Sequence, residues 1–255
     1  MLAAIVIPAA SILSWIIFKF ILGSPGNFQD NNPDLNPLPG NYLGMMYKGG
    51  FIVPILMALL VIVITFVIER FATVAKSKGS GNIDSFVHKV RAALSKGDID
   101  GARKECERQK GSIAAVVSAG LNTYKQMEAE KGLDKEHKIA AIQKEIEEAT
   151  TLELPMLSKN LIIISTIASI ATLMGLLGTV IGMIRAFAAL AQAGAPDAIA
   201  LATGISEALI NTGLGIGTSA IAIIFYNYFT NKIDSITYGI DEAGYSIVQT
   251  FTTRN

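Results

Sequence analysis

Glu207 is the only acidic residue in an apolar stretch that runs from Ala198 to Asn231. A charge at the centre of a bilayer costs about 2.5–3.5 kcal/mol on insertion scales, so such a residue usually faces a helix bundle or water. A carboxyl group held there can take up and release a proton, which is the chemistry of a proton path. Thr203, Ser206, Asn211 and Thr212 stand near it at helical spacings and group with it around one side of a helix. Gly213, Gly215 and Gly217 follow, and the preceding apolar stretch supplies Gly175, Gly178, Thr179 and Gly182. Small residues at these intervals let transmembrane helices approach closely. Two fates are open to the Thr179 and Thr212 hydroxyls: bonds back to their own helices, or a narrow polar path beside Glu207. Glu207 itself has a second placement, as a solvated cap near the outer surface. The stretch holds 34 residues, about 50 Å of helix, and can slide through a hydrocarbon core of roughly 30 Å.

Other chemistries find little support. The Gly-x-Gly-x-Gly run at Gly213 to Gly217 lacks the strand and the Lys of a phosphate loop. His88, His137 and Cys106 form no metal-binding pattern, and one cysteine excludes an internal disulfide framework. An intramembrane enzyme needs a second carboxylate, a Ser/His dyad or a metal motif, and the spans hold one carboxylate. No enzyme activity, metal or cofactor is therefore expected. Lys+Arg and Asp+Glu are 21 each, so the net charge is zero, and a nucleic-acid binder would carry a basic excess.

Of the 255 residues, 51% are hydrophobic and 16% charged, against about 25% charged in soluble domains. The mean hydropathy is +0.46. Together these predict an all-α, polytopic membrane protein. Four stretches satisfy the roughly 20-residue length of a span: Leu2 to Leu22, Phe51 to Ile68, Asn160 to Ile184, and Ala198 to Asn231. The first carries Lys19 near its end. It lacks a basic leader and an Ala-x-Ala cleavage site, and so reads as a retained helix rather than a signal peptide. Basic residues flank the segment between the second and third spans (Arg70, Lys76, Lys78, Lys144, Lys159), whereas only Lys48 and Arg185 flank the other side. The positive-inside bias puts that segment, and both termini, in the cytoplasm. The expected organisation is an N-terminal hydrophobic helix at 1–22, an external loop at 23–50, and a span at 51–68. A cytoplasmic helical region at 69–159, a two-helix core at 160–231 and a cytoplasmic tail at 232–255 complete it.

Within 69–159, helices are predicted after Asn82 or Asp84, from Asp98 to Gln109, from Ser112 to Met127, and from Asp134 onward. The last is expected to continue towards the third span, with Pro155 kinking it or marking membrane entry. Its alternating charges, including Lys144–Glu148, read as a solvated face.

The segments Gly175-Leu-Leu-Gly-Thr-Val-Ile-Gly-Met183, Gly204-Ile-Ser-Glu-Ala-Leu-Ile-Asn-Thr-Gly-Leu-Gly-Ile216 and Tyr226-Asn227 resemble the MotA/TolQ/ExbB proton-channel family, and most closely its ExbB/TolQ branch. The likeness is strongest over Ser158 to Phe229, including the interval from Thr179 to Glu207. The stretch before about Gly44 departs from the family's three-span pattern. The resemblance implies long transmembrane helices that extend into a cytoplasmic bundle, and a homo-oligomeric ring, a pentamer. It also implies an ExbD/TolR-like single-span partner in the central pore and a TonB-like protein energised by proton flow. The place would be the bacterial inner membrane. By position, Glu207, Thr179 and Thr212 would form the proton pathway, with Gly175, Gly178, Gly182, Ser206, Asn211, Gly213 and Gly217 lining the pore or packing closely. A Tol-type envelope-maintenance role and a non-conducting scaffold are the alternatives.

Overall fold

The computed structural model describes residues 2–192 and 198–254. In chain order its helices are α1 (Leu2–Ile16), α2 (Tyr42–Lys48), α3 (Ile52–Lys78), α4 (Ile83–Lys96), α5 (Ile99–Gln109), α6 (Gly111–Ala129), α7 (Lys135–Ser158), α8 (Leu161–Gln192) and α9 (Ala198–Arg254). Among the described residues there is no β-strand, only one isolated bridge between Phe28 and Pro37. The all-α expectation is met, and among the described residues four helical segments are long and apolar enough to cross a membrane. The chain divides into two compact units, Met1–Ile68 with Asn160–Tyr226, and Glu69–Lys159 with Asn227–Asn255.

The first unit carries the apolar stretches. α1 continues as a π-helix over Ile17–Leu22, closed by a bond from the Gly23 N–H to the Phe18 carbonyl at 2.9 Å. Asn27 caps this end, its Nδ2 donating to the Ile21 and Leu22 carbonyls at 2.8 and 2.9 Å. Residues 23–50 are more structured than an open loop. Asn41 accepts from the Gly44 N–H at 3.0 Å and starts α2, a helix that the turn-rich composition concealed. Tyr47 on α2 stacks on Phe18 at 4.7 Å and meets Phe28 edge-on at 5.5 Å. Phe28 is fully buried, and Lys48 Nζ donates to the Asp34 carbonyl at 3.0 Å. The segment is thus tied to its own short helix by aromatic packing and Asn side chains.

The second unit is built on amphipathic helices. Asn82, Asp98 and Asp134 cap α4, α5 and α7, each accepting a backbone N–H in the first turn, as such residues do at helix starts. The His137 N–H bonded to Asp134 holds that carboxyl below its ordinary range. α7 was expected to continue towards the third span with a kink or membrane entry at Pro155, and it stops three residues beyond that proline. It ends at Ser158, and Asn160 adopts a left-handed φ of 65°. Pro155 lies inside the helix; its missing N–H weakens the last turn. Of the expected tail at 232–255, residues 232–254 are the final turns of α9. Ile233, Ile236, Ile240, Ala243, Ile247 and Phe251 recur every three or four positions and are all buried, which is the signature of a core-facing helix stripe. Gly120 and Gly244 give Ile146 its space, and Gly239 does the same for Ile83 and Ile113. Phe251 meets Tyr124 edge-on at 4.9 Å.

Arg70, which the sequence marks only as a charge flanking a span, is among the most deeply buried side chains, 1% exposed. Its Nε and Nη2 grip the Glu69 carboxylate at 2.7 and 2.5 Å, and Nη1 donates to the Leu157 carbonyl at 3.0 Å. That carbonyl lies in the last turn of α7, where acceptors lack helical partners. Arg70 therefore caps α7 from α3.

Cys106 is buried, and burial pushes its thiol up to about 12. At pH 8.5 it then carries on the order of 10³-fold less thiolate than a free thiol. Alkylation of the native chain should be slower than that of the denatured chain by a comparable factor. Equal rates would contradict this packing.

Candidate functional site

α8 and α9 meet through their smallest residues. A Cβ added to Gly175 would come within 3.1 Å of the Gly215 Cα and 3.0 Å of the Asn211 carbonyl oxygen. At Gly215 it would meet the Ala171 carbonyl at 2.6 Å and the Gly175 Cα at 2.8 Å. The seam continues with Gly178 against the Asn211 side chain, Gly182 against Ala208, and Gly204 against Ala186. Backbone-to-backbone approach of this kind brings α8 carbonyls within reach of α9 side chains. Ser219 Oγ donates to the Ala168 carbonyl at 2.5 Å, a contact the sequence reading missed. Ser219 falls four residues after Gly215 on the same stripe, and that interval was its signal.

Thr179 and Thr212 face each other across this seam, and their hydroxyls are hydrogen-bonded to one another. Thr179 Oγ1 also lies 3.3 Å from the Gly175 carbonyl and 3.4 Å from that of Ala208. Thr212 Oγ1 is 3.4 Å from the Gly175 carbonyl. Each hydroxyl thus touches its counterpart and a backbone carbonyl, and of the two only Thr179 bonds back to its own helix.

Asn211 is buried on the same seam, 2% exposed. Its Nδ2 donates at 2.9 Å to the carbonyl of Gly49, at the end of α2. It joins α9 to the turn before α3. Gly50 makes that turn at a φ of 75°, a conformation glycine adopts without steric cost. The Arg185 guanidinium sits against Gly50, 3.2 Å from where a Cβ would be.

Glu207 is half-buried, one helical turn before Asn211. Among the described residues its carboxylate makes no hydrogen bond and no ion pair within 4.0 Å. Lys48 and Arg185 are the basic side chains whose charge reaches it. Neither stood among the residues singled out from the sequence, because they flank the stretches rather than lie in them. A cavity of about 500 Å³ opens beside this region, lined by Thr203, Ser206 and Ala202 of α9, Met45 and Lys48 of α2, and residues 36–40. Ser206 is half-buried and faces it. Gly213 and Gly217 stand apart from the seam: a Cβ at either would meet nothing within 4 Å. The structure therefore gathers Gly175, Gly178, Gly182, Thr179, Asn211 and Thr212 at one interface. It leaves Gly213 and Gly217 on the open side of α9.

Among the described residues no group of three His, Cys, Asp or Glu side chains is arranged to hold a metal ion. The same stretch of α9 instead carries the half-buried Glu207, one hydroxyl of the Thr179–Thr212 pair and part of the cavity wall.

This geometry separates the glycines. Gly215→Ala forces a methyl into backbone atoms of α8, a misfit costing about 1–3 kcal/mol, and should lower the melting temperature of the detergent-solubilised chain by several degrees. Gly213→Ala should leave it unchanged or slightly raised. Equal losses at both positions would contradict the seam.

Residues 108–242 match the model of the MotA/TolQ/ExbB proton channel family. An ExbB-like biopolymer transport protein of Synechocystis sp. is 37% identical over 86 residues, 33% of this chain and 41% of that protein. The Tol-Pal system protein TolQ of Pseudomonas aeruginosa is 27% identical over 136 residues, 51% of this chain and 59% of that one. A biopolymer transport protein ExbB homolog of Methanothermobacter thermautotrophicus is 26% identical over 195 residues, 76% of this chain and 65% of that one. The chain thus spans less than two thirds of the length of each of these relatives. The family match extends over more than half of the chain and contains Thr179, Glu207 and Thr212. The chain belongs to the MotA/TolQ/ExbB proton channel family.

Proposed function

We propose that this chain is the proton-conducting stator subunit of an inner-membrane motor, with Glu207 as the group that carries the proton. The observation behind this reading is that the one carboxylate of the spans is half-buried beside a polar seam and a cavity, free of any ion pair among the described residues. A carboxylate locked in a salt bridge would resist protonation, whereas one held only by distant charges can change state. Thr179 and Thr212 form the polar lining next to the path, and Ser206 opens onto the cavity. The basic segment 69–159 lies in the cytoplasm, as do both termini.

The open side of α9 supports an assembly. Gly213 and Gly217 share it with exposed Leu209, Ile216 and Ile224. A helix face that combines glycines with apolar side chains suits close approach to another helix more than contact with lipid alone. A cyclic homo-oligomer, a pentamer, satisfies that face with the fewest kinds of contact. A single-span ExbD/TolR-like partner fills the centre and hands the force on to a TonB-like protein. The outcome is energised transport across the outer membrane.

A Tol-type role is the second reading, favoured by the alignment with TolQ over half of the chain. The two roles share the conducting chemistry and differ in the protein that is energised. Co-purification with a TonB-like or a TolA-like protein separates them.

In vesicles that hold the chain with its partner, Glu207→Ala should reduce proton flux by at least about 100-fold, the scale on which positioned proton-transfer groups act. Assembly should be retained. Normal flux in that variant would remove Glu207 from the mechanism. Thr179→Val and Thr212→Val each remove the hydroxyl–hydroxyl bond and leave the other hydroxyl only its long contacts to backbone carbonyls, a loss of about 0.5–1.5 kcal/mol, and should slow flux several-fold without abolishing it. Replacing sodium by potassium at fixed pH should leave flux unchanged, and loss of flux in potassium would assign sodium as the coupling ion.

A further inference from the structure

We propose that Asn211 is a positioning residue for Glu207, its Oδ1 accepting the carboxyl O–H whenever Glu207 carries a proton. The inference rests on the proposed role of Glu207 as proton carrier and adds the group that holds its loaded form.

Three observations meet at this amide. Its orientation is fixed, because Nδ2 donates to the Gly49 carbonyl at 2.9 Å. Turning the amide over would set two oxygens against each other, so Oδ1 is the free end. That Oδ1 is buried and, among the described residues, has no hydrogen-bond partner. The missing side chain of Gly49 keeps the space beside it open, since a Cβ there would come within 3.1 Å. An unpaired buried acceptor costs about 1–3 kcal/mol, which a donor arriving at the site would recover. Glu207 stands four residues earlier on the same helix, a spacing that brings Cβ atoms to about 5–6 Å and permits side-chain hydrogen bonds. Its own carboxyl has no partner among the described residues.

The chemistry selects one protonation state. A carboxylic acid has an O–H to donate, whereas a carboxylate only accepts and is repelled by an amide oxygen. On ionisation, the group instead faces Lys48 of α2 and Arg185 of α8, the charged side chains that reach it. Glu207 therefore has two rests, one on Asn211 when neutral and one towards the basic pair when charged. Proton uptake and release become side-chain movement between them. Asn211 takes no part in the transfer itself; it sets where the loaded carboxyl waits.

Solution NMR on the full-length chain in nanodiscs, with ¹³C in the Asn side-chain carbonyls, tests this. The Asn211 resonance is assigned by its absence in Asn211→Leu. It should move through a pH titration in the natural chain and stay fixed in Glu207→Ala, while the Nδ2 protons bonded to Gly49 remain protected in both. A purely structural Asn211 would give the same trace in the two proteins, and that result, or no movement in the natural chain, overturns the proposal. In vesicles with the partner, Asn211→Leu should slow proton flux about fivefold, the worth of one hydrogen bond, and unchanged flux would count against it. Should Glu207→Ala conduct normally, the proton-carrier role itself fails. Should that variant stop flux while the Asn211 signal ignores it, only the positioning role falls.

Discussion

Two facing glycines set the distance between α8 and α9, and the polar arrangement in the spans depends on it. With Gly175 and Gly215 in backbone contact, side chains as short as Ser219 reach a neighbouring carbonyl, and Thr179 can bond Thr212. Lipid offers no hydrophobic drive for helices to associate, so packing and interhelical hydrogen bonds must hold such a hairpin. The seam supplies both. A wider separation would part the Thr179–Thr212 pair and take the Ala168 carbonyl from Ser219 in an apolar medium, at a cost for each group. The glycines are thus the condition for carrying polar residues here at all.

The two units solve different problems with the same kind of element. In the first, helices are apolar over most of their surface, and specificity comes from small residues, an Asn and a Ser/Thr set. In the second, helices are amphipathic, and specificity comes from an Ile-rich stripe and from caps at Asn82, Asp98 and Asp134. Arg70 shows the second kind of constraint at its most demanding. Its guanidinium is buried, paired with Glu69, and bonded to the end of α7. Removing one partner of such a buried pair typically costs about 3–5 kcal/mol, because the other charge is left uncompensated.

The sequence made much of this legible. Apolar runs of span length declare themselves by composition, and N-caps are local signals read from a few residues. Glu207 stood out because a carboxylate among apolar neighbours is expensive. What could not be read was facing. Gly213, Gly215 and Gly217 look alike in a string, yet Gly215 touches backbone and the other two face open space. Only a partner helix in place distinguishes them. The break after Ser158 was hidden for a related reason, since the residue that caps the last turn of α7, Arg70, comes from far along the chain. Lys48 and Arg185 read only as charges flanking the spans, because their action on Glu207 runs through space. The short helix at Tyr42–Lys48 escaped because turn-forming neighbours dominate its surroundings.

The central claim is that Glu207 holds and releases a proton from a site screened from bulk water. Hydrophobic carbodiimides react with carboxyl groups that are protonated in apolar surroundings, which makes them a direct probe. Treating the assembled complex in vesicles with dicyclohexylcarbodiimide and mapping the adducts by mass spectrometry addresses the claim at the residue itself. Glu207 should be modified ahead of the carboxylates of residues 69–159, in step with the loss of proton flux. Loss of flux with Glu207 unmodified, or full modification of Glu207 with flux intact, would contradict it.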